Sequence, residues 1–460
     1  MKAIIQTFLL LISFNVFSTS QEMEEKRYYY TALNEFFKET HQRPILKDDV
    51  NKLEELLFYT GIEILEDYEN SLLEKYPTSS TRFVLGKKAY NNKDFKKALE
   101  SFSLIHKDHR YYPESKMLEA EIHFFRNDEI KENESFNECQ KSAEKNESSA
   151  ESDKIKRYYR MINEVCLVNK ARHQYKKGNY QSAIDAYNKI PKQSYKWPYI
   201  LLEKAWAYYQ LGDYNRSLGL LVTYKSPLLD TYFFPEAEYL AALAYFKLCL
   251  WEDSSIIINQ YYNFYRPRFH SLEDFFNKNR NTPQYFHNLL NANQDFKSSS
   301  DEFVKQILTR LKKQIRFSLD LNTIHKINKE IKSIASNEKG KKGDEMLLHL
   351  LAVKENMITK INYNAKTDIF QFLESVPFYS SELFKINLEI VSRKRDLIYT
   401  NRKLIAERSR GDYSNVKRNK FEYFWKFKGA FWADELGDYS LGLKSNCEIQ
   451  KNNPLSEESL

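Results

Sequence analysis

The sequence predicts an all-α protein, a superhelical solenoid of helical hairpins followed by a C-terminal antiparallel helical bundle of coiled-coil-like character. Three observations predict it. Gly178-Asn179-Tyr180 is answered thirty-four residues on by Gly212-Asp213-Tyr214, with Ala171 and Ala205 each seven positions ahead of the turn. Glycine and proline number only eleven each in 460 residues, which argues against a turn-rich all-β fold. Beyond Phe303, Ile307, Leu308, Leu311, Ile315, Leu319, Ile324, Ile327, Ile331 and Ile334 form one apolar stripe. That stripe predicts a helix of roughly 30 residues, about 45 Å long.

In chain order, Lys2, the apolar run Ile4 to Phe17 and the small residues Ser18-Thr19-Ser20 have the tripartite form of an export signal. Cleavage is expected before Gln21, and the absence of a nearby cysteine argues against a lipid anchor. Residues 21–78 carry Leu53, Leu56, Leu57, Ile62, Leu65 and Leu72 at helical spacings, closed by Pro77, as an N-terminal helical cap or a degenerate repeat. Residues 79–145 hold two repeat units. Gly86, Lys93, Phe95, Ala98, Leu99 and Phe102 fill the slots of Ala171, Gly178, Tyr180, Ala183, Ile184 and Tyr187, and Ala120, Asn127 and Phe136 follow in register. The polar run from Lys141 to Asp153 reads as a loop or a solvated helix extension. Residues 146–267 hold three units, the last at Ala242, Cys249, Trp251, Ser254 and Ile258. This is the tetratricopeptide pattern: small residues let two antiparallel helices pack closely, and neighbouring hairpins must stack to bury their apolar faces.

Residues 268–300, with Pro283 and many asparagines, predict an irregular connection with at most short helices. Residues 301–460 predict a separate helical domain: the long helix, a polar turn at 337–344, a return helix through Met346, Leu350, Ile358 and Ile361, and a third from Ser380 through Leu404.

The net charge of +7 arises from 70 basic and 63 acidic residues, too small an excess for a dedicated nucleic-acid binder. The signatures HExxH, GxSxG, a phosphate loop and Cys-x-x-Cys do not occur, so no enzyme activity and no cofactor are expected. His106 and His109 have the spacing of metal ligands but sit in an inter-repeat loop, and Lys341-Lys342-Gly343-Asp344 reads as a solvated turn. Helix A side chains should line the concave groove. Gln174, Tyr208 and Tyr245, three residues after the small slot, are the partner-binding candidates. Arg393, Lys394, Arg395, Arg402 and Lys403 lie in a basic stretch that suits either a solvated face or an anionic partner such as a membrane surface or cell-wall polymer.

Ile190-Pro191-Lys192-Gln193-Ser194, Trp197-Pro198, Glu203-Lys204-Ala205-Trp206-Ala207-Tyr208, Ser226-Pro227 and Phe234-Pro235-Glu236-Ala237 resemble tetratricopeptide proteins associated with adventurous gliding motility in bacteria. Gly429 to Tyr439, with Ser445 and Cys447, is similar to the same group's C-terminal segment. The resemblance implies a non-catalytic envelope scaffold, periplasmic or peripheral at the outer membrane, that binds envelope proteins through its groove.

Four cysteines in an exported chain either pair or stay as buried thiols. Repeat register sets Cys139, late on one helix B, against Cys166, early on the next helix A. The resemblance and the remaining count pair Cys249 with Cys447.

Overall fold

A computed structural model describes residues 19–41, 43–291, 301–399 and 430–447. Among these the protein is all-α, without a strand, and its helices pack mostly on their neighbours in sequence. The chain divides into two compact units, residues 1–159 with 315–361 and residues 160–314 with 362–460.

Five helical hairpins follow one local rule. Ser79–Asn91 pairs with Phe95–Ser103, and Tyr112–Phe125 with Glu129–Ser149, in the first unit. Trp197–Gln210 pairs with Tyr214–Val222, and Pro235–Lys247 with Trp251–Asn279, in the second; ahead of them Asp153–Lys176 turns into Tyr180–Tyr187. At every turn one residue adopts a left-handed conformation: Lys93, Asn127, Gly178, Gly212 and Cys249, with φ between 55° and 82°. The N–H of the residue after it reaches back five positions, as in Asn179 to the Gln174 carbonyl and Asp213 to the Tyr208 carbonyl, 2.9 Å each. This closure satisfies carbonyls that a helix end otherwise leaves orphaned. Asp94, Asp128 and Asp213 then cap the next helix by accepting from Lys97, Lys131 and Arg216 N–H groups. Ala120, Ala171, Ala205 and Ala242 are fully buried in the small slot, and Phe102, Phe136, Tyr187 and Ile258 on the following helices are buried as well.

In the first unit the core runs from Met23 through Tyr112 and Ile122 and takes in Ile327, Ile334, Met346 and Leu350. This corrects the expected domain plan. Ile315–Asn337 and the start of Lys341–Tyr399 belong with the N-terminal helices, not with a separate bundle at 301–460. An apolar stripe specifies that a helix must be covered but not by what. The expected long helix is broken at Gln314, where ψ is 135°, and the expected return and third helices are one helix of 59 residues. The polar run after Lys141 is helix as far as Ser149. Thr19–Glu25 is helical across the expected cleavage point, and the buried Ser20 hydroxyl donates to the Ala32 carbonyl. The rest of the expected signal lies outside the described residues.

Glu54 links three parts of the first unit. Its carboxylate accepts from Ser80 N–H at 2.9 Å and Ser80 Oγ at 2.6 Å, and faces His109 Nε2 at 3.3 Å. Burial pushes the carboxyl pKa up, but the His109 and Ser80 bonds outweigh it and hold the value at about 2. A folded pKa below the unfolded one gives stability that is present above about pH 4.3 and lost as pH falls toward the folded value. Between pH 5 and 2 the wild type is therefore expected to lose about 2–3 kcal/mol more than Glu54→Gln in urea titrations.

In the second unit, helix Trp251–Asn279 runs straight through Pro267, and Tyr285–Asn291 follows, so residues 268–291 correct the expected irregular connection. The reason lies in the stripe Ile258, Tyr261, Tyr265, Leu272 and Phe276, which is buried on both sides of the proline. Continuous burial there outweighs the proline's missing N–H, and Arg268 Nη1 donates to the Phe264 carbonyl at 2.9 Å beside the break.

Candidate functional site

The second unit presents two surfaces on its hairpins, both built from the repeat residues upward. On the first, Trp206 and Tyr209 of helix Trp197–Gln210 meet edge to face at 5.5 Å, and Tyr209 meets Tyr214 at 5.3 Å. Trp206 Nε1 donates to Glu236 at 2.8 Å, and Arg172 clasps Glu203 through two bonds of 2.6 and 2.9 Å. These half-buried aromatics combine large contact area with fixed polar partners, the composition of a protein-binding surface.

Further along, this face is covered by the chain itself. Val376, Leu383, Ile386 and Ile390 of the 59-residue helix pack with Ala242, Trp251, Ile258 and Tyr261, with Tyr239, Leu243 and Phe246 at the margin. Tyr261 Oη donates to the Val376 carbonyl at 2.6 Å and Tyr262 Oη to the Ser380 carbonyl at 2.9 Å. Arg310, from helix Glu302–Lys313, lies 4.8–5.6 Å from the ring centres of Phe234, Tyr199 and Tyr232. Among the described residues, the helix face at the last hairpin is thus covered by side chains between Phe372 and Leu397.

The second surface lies along helix Tyr214–Val222, where Asn215, Gly219 and Thr223 fall at i, i+4 and i+8 on one stripe. Residues 431–447 lie along it, turning at 433–437 and then running without helix as far as 445. Asn215 clamps Leu443 reciprocally, Leu443 N–H to Asn215 Oδ1 at 2.9 Å and Asn215 Nδ2 to the Leu443 carbonyl at 3.1 Å. Leu441 N–H reaches the Asn215 carbonyl at 3.1 Å, Gly437 N–H the Thr223 hydroxyl at 3.0 Å, and Asn446 N–H the Leu248 carbonyl at 2.9 Å. Lys192 pairs with Asp438 at 2.7 Å. A Cβ on Gly219 would overlap the Tyr439 carbonyl. Gly437, at φ +84°, lies against the Trp197 ring, where a Cβ would come within 2.8 Å. Cys249 and Cys447 are joined in a disulfide with Cα atoms 5.2 Å apart. Cys139 and Cys166 are disulfide-bonded as well, so among the described residues no thiol is free.

The residues singled out in the sequence are distributed unevenly over these surfaces. Tyr245 is 9% exposed and part of the core, which corrects its placement as a groove residue. Tyr208 packs at the edge of the same core with the Arg216 guanidinium 5.8 Å from its ring, and Gln174 accepts from Asn179 Nδ2 at 3.0 Å. Trp206, one residue after the small residue Ala205, is the residue that reaches the aromatic face. Its spacing from Ala205 was visible, but periodicity alone did not say which side of the helix the neighbours cover. Arg393 pairs with Glu389 at 2.9 Å, Lys394 with Glu252, and Arg395 with Asp396 at 3.0 Å, so these candidates meet carboxylates of the chain itself. Arg402 and Lys403 lie outside the described residues. His109 is engaged with Glu54, and His106 Nδ1 accepts from Asp108 N–H at 3.3 Å.

Comparison with protein-family models finds no match, and comparison with curated proteins finds none either.

Proposed function

We propose that this chain is a non-catalytic exported scaffold of the tetratricopeptide kind, which binds a segment of another envelope protein in a motility or envelope-assembly complex. The observation that carries this reading is the recurrence of one closure in five hairpins, a left-handed turn residue between helices joined at small buried residues. Such hairpins are the building block of protein-binding repeat arrays. Periplasmic or peripheral placement at the outer membrane accords with the N-terminal pattern, and among the described residues no helix is long and apolar enough to cross a membrane. The second reading, attachment to an anionic polymer or membrane surface through the basic helices, draws no support from residues 393–395, which are already paired.

The aromatic face around Trp206 and Tyr209 is the partner surface in this reading. Alanine at both positions is expected to weaken capture by at least 2 kcal/mol, about 30-fold in Kd. The measurement is pull-down from a crosslinked envelope fraction, with circular dichroism to establish that the variant keeps its helices. Equal recovery of the same partner by a folded double variant would remove this face from consideration. Export has its own check: the mature protein should begin at or within a few residues of Gln21 on N-terminal sequencing. Envelope material that retains Met1 would contradict it.

A further inference from the structure

Two neighbouring hairpins of the second unit use one slot in different ways. The residue after the small slot is Arg172 in the first and Trp206 in the next, and each bonds to a glutamate on the opening helix of the hairpin that follows, 31 and 30 residues on. Arg172 clasps Glu203 through Nε and Nη2, and Tyr187 Oη donates to the same carboxylate at 2.7 Å. Trp206 Nε1 donates to Glu236 at 2.8 Å, and Tyr379 Oη donates to that carboxylate as well. A tyrosine hydroxyl is thus present in both. The guanidinium is present only in the first, so Glu203 is charge-matched and Glu236 is not: among the described residues no lysine, arginine or histidine pairs with Glu236.

The surroundings of Glu236 favour a cation. Trp206 and Tyr379 adjoin the carboxylate through their bonds to it, and the Tyr239 ring meets both, its centre 6.3 Å from that of Trp206 and 5.5 Å from that of Tyr379. All four residues are half-buried. Ring faces attract cations, and the more so where water is partly excluded. Burial and the Glu382 and Glu236 carboxylates push the Tyr239 hydroxyl pKa up, against Lys385, and burial and Glu236 push up that of Tyr379. Glu382 is itself paired with Lys385, which leaves Glu236 as the unmatched charge. A carboxylate offers about four acceptor positions, so the bonds from Trp206 and Tyr379 leave room for two more. Arginine meets that vacancy better than lysine, because its planar fork reaches two lone pairs at once, stacks on rings and sheds water more readily.

We propose that Glu236, framed by Trp206, Tyr239 and Tyr379, binds the guanidinium of an arginine supplied by the partner segment, as Arg172 serves Glu203 within the chain. The proposal rests on the reading of the face around Trp206 and Tyr209 as the partner surface, and it names the chemistry that face selects. A neutral side chain in the same place would close the interface over an unmatched carboxylate, and an acidic one would be repelled.

The test uses the full-length protein with isotope-labelled tryptophan indoles and follows the N–H resonance of Trp206, assigned by its loss in Trp206→Phe. The probe is N-acetylarginine methylamide, with the citrulline analogue as its neutral counterpart of the same shape and the lysine analogue as the other cation. The arginine probe should shift the resonance saturably, the lysine analogue should bind more weakly, and the citrulline analogue should bind about tenfold more weakly or worse. Glu236→Gln keeps an acceptor for the indole and should weaken the arginine probe by about tenfold or more, with circular dichroism to establish unchanged helicity. Absence of a saturable shift, equal affinity for the arginine and citrulline probes, tighter binding of the lysine analogue, or an affinity unchanged by Glu236→Gln would each overturn the proposal. The crosslinked pull-down separates this proposal from the reading beneath it. Loss of capture by the double alanine variant of Trp206 and Tyr209 with full capture by Glu236→Gln would overturn the arginine assignment and leave the face standing. Full capture by both variants would remove the face itself.

Discussion

Replacing Phe102 by alanine is expected to lower stability by about 3–5 kcal/mol, the largest effect of any single change considered. Phe102 is fully buried, and its ring lies so close to Gly86 that a Cβ at that position would overlap it. The contact is between the two helices of the first hairpin, at the pair of slots that every repeat uses for close approach. Gly86→Ala should therefore be destabilising too, by about 1–3 kcal/mol through overpacking, despite the better helix propensity of alanine. The two effects are coupled. In Gly86→Ala with Phe102→Leu, the smaller side chain makes room for the new methyl group, and the loss should fall below the sum of the single variants. Thermal and urea melts of the four proteins measure the coupling, and strict additivity would show that the ring does not restrain the glycine.

Glu330→Ala is expected to cost about 3 kcal/mol. Its side chain, 6% exposed, accepts from Tyr30 N–H at 3.2 Å and from Thr31 N–H and Oγ at 2.8 and 2.7 Å. These N–H groups open helix Tyr29–Thr40, whose own N-cap, Tyr28, offers no side-chain acceptor. The cap comes from 300 residues away in sequence, and its loss would strand buried donors and remove a negative charge from a helix N-terminus. Burial pushes the Glu330 carboxyl pKa up, against the hydrogen bonds from Thr31 and Tyr30. For a raised pKa, stability is fully present below the unfolded value and is lost as pH rises through the folded one. Glu330→Gln keeps an acceptor without the charge, so it should cost less than half as much as alanine at neutral pH. It should also flatten the loss of stability as pH rises above the ordinary carboxylate range in urea titrations. Equal losses for Gln and Ala would show that the charge, not the acceptor, is what the helix end requires.

Local structure was legible because its causes are local. The turns at Lys93, Asn127, Gly178, Gly212 and Cys249 were placed by the spacing of small and aromatic residues, and each has the left-handed φ that ends one helix and starts the next. The stretch 268–300 misled because proline and asparagine are visible in a window of a few residues, whereas the burial of Leu272 and Phe276 that keeps the helix going is not. Tyr245 misled in a similar way, since a periodic pattern marks a face without naming what lies against it.

What the sequence determined by itself was the all-α class, the positions of the hairpins and the small-residue slots, all of which depend on residues within about a turn or two of one another. Only the tertiary structure decided that Ile315–Ile361 belongs with the N-terminal helices and Asn362–Tyr399 with the later hairpins, and that residues 431–447 lie along Asn215, Gly219 and Thr223. An apolar stripe states how much surface must leave water and in which direction, but burial is non-directional in its choice of partner. The partner is chosen by shape and by single polar contacts, such as Glu330 on Thr31 or Asn215 on Leu443, between residues hundreds of positions apart.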